Sequence, residues 1–124
     1  MKITCGTDII EIARIKKSID NAGESFKKKV YTDKEINYCE SKKNQKYQHY
    51  AVRFAAKEAV FKAISNALDN KYSISWKDIE ISNNNQNKPE VELLSKQIIN
   101  IENIDISLSH CKEYAIANVV VVWR

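Results

Sequence analysis

Glycine, proline and cysteine are scarce in this chain: two Gly, one Pro and three Cys stand among 124 residues. So little glycine excludes a collagen-like repeat, and a hydrophobic share of 44% excludes a disordered chain. Long apolar runs are missing as well. Stretches such as Val119 to Trp123 fall far short of the roughly 20 residues a membrane-spanning helix needs. Met1-Lys2-Ile3-Thr4-Cys5 has a lysine but neither an apolar core nor a small-residue cleavage site, so a cytoplasmic protein with no leader and no membrane association is expected. Cys5, Cys39 and Cys111 are odd in number and lack CxxC spacing, which argues against a zinc cluster or a disulfide framework. All three are expected to be buried thiols. One domain over residues 1–124 is expected, because a chain of this length buries roughly two thirds of the surface its unfolded form exposes.

What is present is charge, and it is uneven. Residues 1–62 hold 14 basic and 8 acidic side chains, whereas residues 63–124 hold 6 and 8, within a net charge of +4. The cations cluster at Arg14-Ile15-Lys16-Lys17, Lys27-Lys28-Lys29, Lys42-Lys43, Lys46, Arg53, Lys57 and Lys62. A basic half suits an acidic partner, whether nucleic acid, an anionic membrane surface, an acidic protein or a polyphosphate. It equally suits a solvated helix surface.

Apolar spacing sets out the elements. Lys2 to Ile10 reads as a strand that enters a helix near Glu11, with Ile9, Ile12, Ile15 and Ile19 at helical intervals and Gly23 as its end. Thr32-Asp33-Lys34-Glu35 is a capping box opening a short helix through Ser41. Tyr47 to Leu68, free of glycine and proline and rich in alanine, predicts the long central helix. Asp78 to Ser82 and Glu90 to Leu94 alternate as a hairpin around Asn83-Asn84-Asn85-Gln86-Asn87, and Ser95 to Ile101 reads as a short helix. Ile104 to Ser109 and Tyr114 to Val122 are strands, the latter β-branched enough to be central. The predicted order is β-α-α-α-β-β-α-β-β.

A few residues sit where packing does not call for them. Asp8 follows Gly6-Thr7 at the end of an apolar strand, as a helix cap or as a ligand. Glu58 lies among Ala and Phe in the central helix, where an unpaired carboxylate is costly. Lys62, four residues on, can supply its cation as an intrahelical pair. Arg53 with Lys57, and Glu58 with Lys62, also lie on adjacent stripes of one helix. Three cations around one carboxylate suit a polyphosphate with a divalent ion: the cations hold phosphate oxygens, and Asp8 with Glu58 could hold Mg²⁺, which takes one or two carboxylates plus water and phosphate. Ser109-His110, at the end of another strand, could bring neutral donors to the same rim. His49 and the Trp and Tyr residues read as packing.

Three blocks then form an ordered set: Gly6-Thr7-Asp8-Ile9-Ile10-Glu11-Ile12-Ala13-Arg14-Ile15, Arg53-Phe54-Ala55-Ala56-Lys57-Glu58-Ala59-Val60-Phe61-Lys62-Ala63, and Ile106-Ser107-Leu108-Ser109-His110 with Tyr114-Ala115. In these, nearly the whole chain resembles the holo-acyl-carrier-protein synthases, the small single-lobe group of 4'-phosphopantetheinyl transferases. The resemblance implies an α+β fold, an antiparallel sheet packed around a long central helix. It implies transfer of the 4'-phosphopantetheine arm of coenzyme A to a serine of apo acyl carrier protein, releasing adenosine 3',5'-bisphosphate, in fatty acid biosynthesis. By position Asp8 and Glu58 match the Mg²⁺ ligands, and Arg53, Lys57 and Lys62 match the basic positions around the coenzyme's phosphates. Ser109 and His110 match a motif beside the coenzyme, and Arg14 matches the surface that receives the acidic carrier. Asp8, Glu58 and Lys62 are thus the expected catalytic residues; the serine's proton passes to Glu58 or to a metal-bound water, with Glu58, acting directly or through that water, the favoured acceptor. The same resemblance implies a homotrimer with sites between subunits.

The chain also departs from the family. Ile10 stands where the larger two-lobed transferases have a second acid, so water should complete the coordination. Leu68-Asp69-Asn70-Lys71-Tyr72 and Asn87-Lys88-Pro89 replace segments that often contain glycine; asparagine tolerates left-handed backbone. Two other readings remain. A nucleic-acid-binding module would use the basic half, but no RNP, KH, homeodomain or zinc-finger signature accompanies it. A noncatalytic coenzyme-binding trimer would be marked by loss of Asp8 or Glu58, and both are present.

Overall fold

The computed structural model describes residues 1–65 and 74–124. Strand β1 (Lys2–Glu11) runs into helix α1 (Ile12–Ala22), followed by α2 (Glu24–Val30), α3 (Asp33–Glu40), a 3₁₀ turn at Lys43–Gln45 and the long α4 (Lys46–Ile64). A second 3₁₀ turn, Trp76–Asp78, precedes β2 (Ile79–Asn83), β3 (Pro89–Leu93), β4 (Ile101–His110) and β5 (Tyr114–Trp123). The class is α+β, as expected. The strands form an antiparallel sheet of order β1-β5-β4 and a β2-β3 hairpin. The β-branched strand β5 is indeed central. No helix among the described residues is long and apolar enough to cross a membrane.

Alternation decides what each sheet face does. On one face of the three-stranded sheet, Gly6, Val119 and Ile106 form one row and Thr4, Val121 and Ile104 the next. Val119, Val121 and Ile106 pack with Ala55, Ala59, Val60 and Ala63 of α4. A second core joins the N-terminal half of α4 to the other helices through Ile12, Ile15, Ile19, Val30, Tyr31 and Tyr50. Small residues let the central helix come close to the sheet. At Gly6 the approach is limiting, because a Cβ there would stand 2.0 Å from the Ala59 carbonyl oxygen. Gly6→Ala is therefore expected to push β1 off α4 and to cost about 3 kcal/mol. Urea unfolding checks this, and a loss below about 1 kcal/mol would contradict the packing.

The opposite sheet face carries rows Ile3–Val122–Asn103, Cys5–Val120–Asp105, Thr7–Asn118–Ser107 and Ile9–Ile116–Ser109. Along β1 and β5 its apolar side chains are interrupted by the hydrogen-bonded Thr7–Asn118 pair, and it is open to solvent, with Ile3 at 59% exposure, Ile9 at 61% and Val120 at 44%.

Four readings of the sequence need correction. Ile9 is on this open face, not on the buried stripe of α1, because its residue is still extended strand. Cys39 is buried, but Cys5 and Cys111 are exposed; Cys5 lies on the open sheet face. Residues 24–30 form the additional helix α2, packed through Phe26 and Val30. Ser95 to Ile101 is not a helix: Ser95 Oγ accepts from the Gln97 amide, Asn100 has φ 71°, and Ile101 already pairs with Trp123. The short side chain of serine competes with helical bonding in this way. The last residues of the predicted central helix, 66–68, and the glycine-poor turn at 68–72 lie outside the described residues. At Asn87 the left-handed backbone is present, with φ 64°.

Candidate active site

Asp8 projects from the inner face of β1 beside Gly6, toward α4. It does not cap α1, whose N-cap is Glu11 without a side-chain bond. Lys62 Nζ reaches it, donating to Asp8 Oδ1 at 3.0 Å and to the Thr7 carbonyl at 3.0 Å. An ammonium has three donors, so Lys62, with its side chain 53% exposed, keeps one for a ligand. Glu58 lies one helical turn before Lys62 and is half-buried. Its cation is not Lys62, which has turned to Asp8. Glu58 Oε1 instead accepts from Trp76 Nε1 at 2.7 Å. The sequence marks Trp76 only as a packing residue, since no spacing rule joins it to a glutamate 18 residues earlier.

A cleft of about 570 Å³ opens beside this group, lined by Lys29, Glu58, Phe61, Ile74, Ser75, Trp76 and Ile79. Lys29, on the helix α2 that the periodicity did not reveal, has its ammonium 5.7 Å from the centre of the Trp76 ring. The floor is apolar, with one cation and one carboxylate on the wall.

Lys57 is not at the rim. Its side chain is 0% exposed and pairs with the equally buried Glu35 at 2.7 Å, while its remaining donors go to the carbonyls of Trp76 at 2.9 Å and Ile79 at 2.5 Å. Burial lowers its pKa, and the Glu35 carboxylate opposes that shift. With all three donors used, Lys57 has none for a phosphate; it joins α4 to α3 and to the 3₁₀ turn. Arg53 differs. It is 2% exposed and lies over the Tyr38 ring at 4.1 Å, with Asn83 Oδ1 at 3.4 Å from Nη2. Its Nε is buried without a partner, and no carboxylate among the described residues forms an ion pair with it. A buried guanidinium without counter-charge is a place where an anion is favourable.

His49 stacks edge-on to Tyr38, and burial together with Arg53, Lys42 and His110 holds its pKa down to about 4. It is thus neutral at pH 7, near the Arg53 end of α4. Ser109 and His110, both exposed, end β4. Ser109 shares the open sheet face with Ile9 and Ile116, opposite the face that bears Asp8. Within one chain, therefore, Ser109 does not join the rim of Asp8, Glu58 and Lys62, contrary to expectation: strand alternation turns its side chain away. Arg14 is exposed on α1, beside the exposed Lys17.

The donor set fits a divalent ion. Asp8 and Glu58 supply hard carboxylate oxygens from β1 and α4, and the second oxygen of each, Oδ2 and Oε2, takes part in no hydrogen bond among the described residues. Two carboxylates plus water and phosphate is a suitable set for Mg²⁺. No group of three or more His, Cys, Asp or Glu that could hold a metal occurs among the described residues, so a site made by protein ligands alone is absent there.

Comparison with known proteins identifies the family. The family profile described as the 4'-phosphopantetheinyl transferase superfamily matches residues 4–119. A holo-[acyl-carrier-protein] synthase of Ruminiclostridium cellulolyticum is 46% identical over 126 residues, covering 98% of this chain and 92% of that protein. Among solved structures, the Bacillus anthracis holo-(acyl-carrier-protein) synthase in complex with CoA (3',5'-ADP) is 34% identical with a TM-score of 0.78, covering 95% of this chain and 94% of that one. The Helicobacter pylori synthase in complex with coenzyme A is also 34% identical, with a TM-score of 0.80 and coverage of 95% and 99%.

Proposed function

The chain belongs to the holo-[acyl-carrier-protein] synthases of the 4'-phosphopantetheinyl transferase superfamily, and from that premise we propose that it transfers 4'-phosphopantetheine from coenzyme A to a serine of apo acyl carrier protein with Mg²⁺, as a step of fatty acid biosynthesis in the cytoplasm. The reading is supported by the Asp8–Lys62 pair across the seam between β1 and α4, with Glu58 one helical turn before Lys62 on the wall of a cleft. The serine oxygen bonds to the phosphorus that bears the pantetheine arm, the bond from that phosphorus to the bridging oxygen breaks, and adenosine 3',5'-bisphosphate leaves. Lys62 places its free donor on the phosphates as negative charge shifts to the leaving group. Glu58, held by Trp76 through one oxygen, accepts the serine's proton directly or through a water. A divalent ion held by Asp8 and Glu58 would neutralise the pyrophosphate. Arg53, buried and without counter-charge, is the second phosphate contact. Lys57 is left out of that set because its donors are used.

The open sheet face supports a homotrimer. Ile3, Ile9 and Val120 leave an apolar surface that association would cover, and Ser109 lies on the same side. A neighbouring copy then supplies the end of β4, with Ser109 on the open face and His110 on the other, to a site whose carboxylates come from the first copy. Mixing tests this: Asp8→Ala and His110→Ala, each nearly inactive alone, are expected to recover part of the activity when refolded together. No recovery would contradict a shared site.

Arg14 and Lys17 on α1 face the acidic carrier protein. Arg14→Glu is expected to raise the KM for the carrier about tenfold and leave that for coenzyme A unchanged, since charge complementarity mainly steers docking. Steady-state kinetics with each substrate varied decide it, and an equal change for both substrates would refute this division.

A further inference from the structure

A chain of contacts behind Glu58 is not used by the transfer as described. Trp76 opens a 3₁₀ turn whose capping box is closed by Ser75 and Asp78, with the Ser75 amide donating to Asp78 Oδ2 at 2.8 Å. Its indole ring packs against Phe54, centroid to centroid 5.9 Å. Its carbonyl accepts from Lys57 Nζ, and Lys57 is held in turn by Glu35. Glu35 is anchored by two backbone amides, Thr32 N to Oε1 at 2.8 Å and Ile81 N to Oε2 at 2.7 Å. The sequence Glu35, Lys57, Trp76, Glu58 is thus continuous, from a buried ion pair to the carboxylate on the cleft wall.

We infer that Trp76 is a positioning residue for the transfer: its indole N–H fixes the rotamer of Glu58, and the buried Lys57–Glu35 pair fixes Trp76. An indole N–H donates and cannot accept, so Trp76 neither takes the serine's proton nor holds a metal ion; orientation is what it can contribute. It engages Oε1 and leaves Oε2 without a hydrogen bond among the described residues. A glutamate side chain on a half-buried helix position has several rotamers, and a carboxylate already held in one of them needs no reorganisation when substrate arrives. The neighbouring residues of α4 divide the work. Lys57 turns inward and builds the support, and Glu58 turns to the cleft and uses it.

This inference rests on the transfer reading, and two measurements separate their fates. Trp76→Phe keeps the ring against Phe54 and removes the N–H. It is expected to lower kcat by about 10-fold or more and to weaken Mg²⁺ binding by the free protein, read by calorimetry, to a similar degree. KM for coenzyme A should stay within about twofold. The second measurement needs no activity and no folded Trp76 variant: the indole ¹H–¹⁵N resonances of the wild-type protein. The Trp76 signal should move on addition of Mg²⁺ and in Glu58→Ala. That of Trp123, whose indole donates to Thr4 Oγ1, should not move. An inactive wild type would overturn the transfer reading. An active wild type overturns the inference if Trp76→Phe matches it in kcat and Mg²⁺ affinity, or if the Trp76 resonance ignores both Glu58→Ala and Mg²⁺.

Discussion

Glu58→Ala and Asp8→Ala will each reduce phosphopantetheine transfer by about a thousandfold or more, which is the several kcal/mol that metal-assisted charge neutralisation supplies to a transition state. Neither change should unfold the protein. Alanine is the best helix former at position 58, and the loss there is one hydrogen bond, from Trp76, worth about 1 kcal/mol. Asp8→Ala releases Lys62, whose side chain is 53% exposed and can turn to water, so the lost pair also costs about 1 kcal/mol or less. The two effects therefore separate: activity collapses while the urea midpoint hardly shifts. Retention of wild-type turnover by either variant would remove that residue from the reacting centre.

Lys57→Met will show the reverse pattern. It removes one partner of a fully buried ion pair and leaves the Glu35 carboxylate without its cation, a change that costs about 3–5 kcal/mol. Urea unfolding should report that loss directly. Adding Glu35→Gln should recover much of it, because the buried negative charge is then gone, while an amide oxygen still accepts one backbone N–H. If Lys57 instead held coenzyme phosphates, Lys57→Met would fold with normal stability and raise the KM for coenzyme A. That outcome would refute the buried pair.

These variants mark where sequence and structure part. Lys57 and Lys62 look alike in one dimension, both at i+4 from a partner of opposite or equal charge on one helix. What distinguishes them is that α4 is buried on most sides, so position 57 faces Glu35 of α3, 22 residues earlier, and position 62 faces the exposed end of the seam. Periodicity does not carry that depth. The long helix, the capping box at Thr32 and the central strand β5 were legible because each is a local pattern: alanine content, a threonine–glutamate spacing, a β-branched run. Helix α2 was not, being a seven-residue element with three lysines, and Ser95 to Ile101 misled because its apolar residues suit a helix while its backbone serves a turn and the start of β4. Asp8, Glu58 and Lys62 could be picked out by chemistry, as charged groups in apolar surroundings. Trp76 could not, because its link to Glu58 exists only after the chain has folded back over α4.

One incubation tests the transfer directly: the purified protein with Mg²⁺, coenzyme A and an apo acyl carrier protein, followed by intact mass spectrometry of the carrier. The carrier is expected to become heavier by one phosphopantetheine, attached at its serine, with adenosine 3',5'-bisphosphate released in equal amount. A carrier of unchanged mass, under conditions in which another holo-[acyl-carrier-protein] synthase modifies it, would show that this protein does not carry out the transfer.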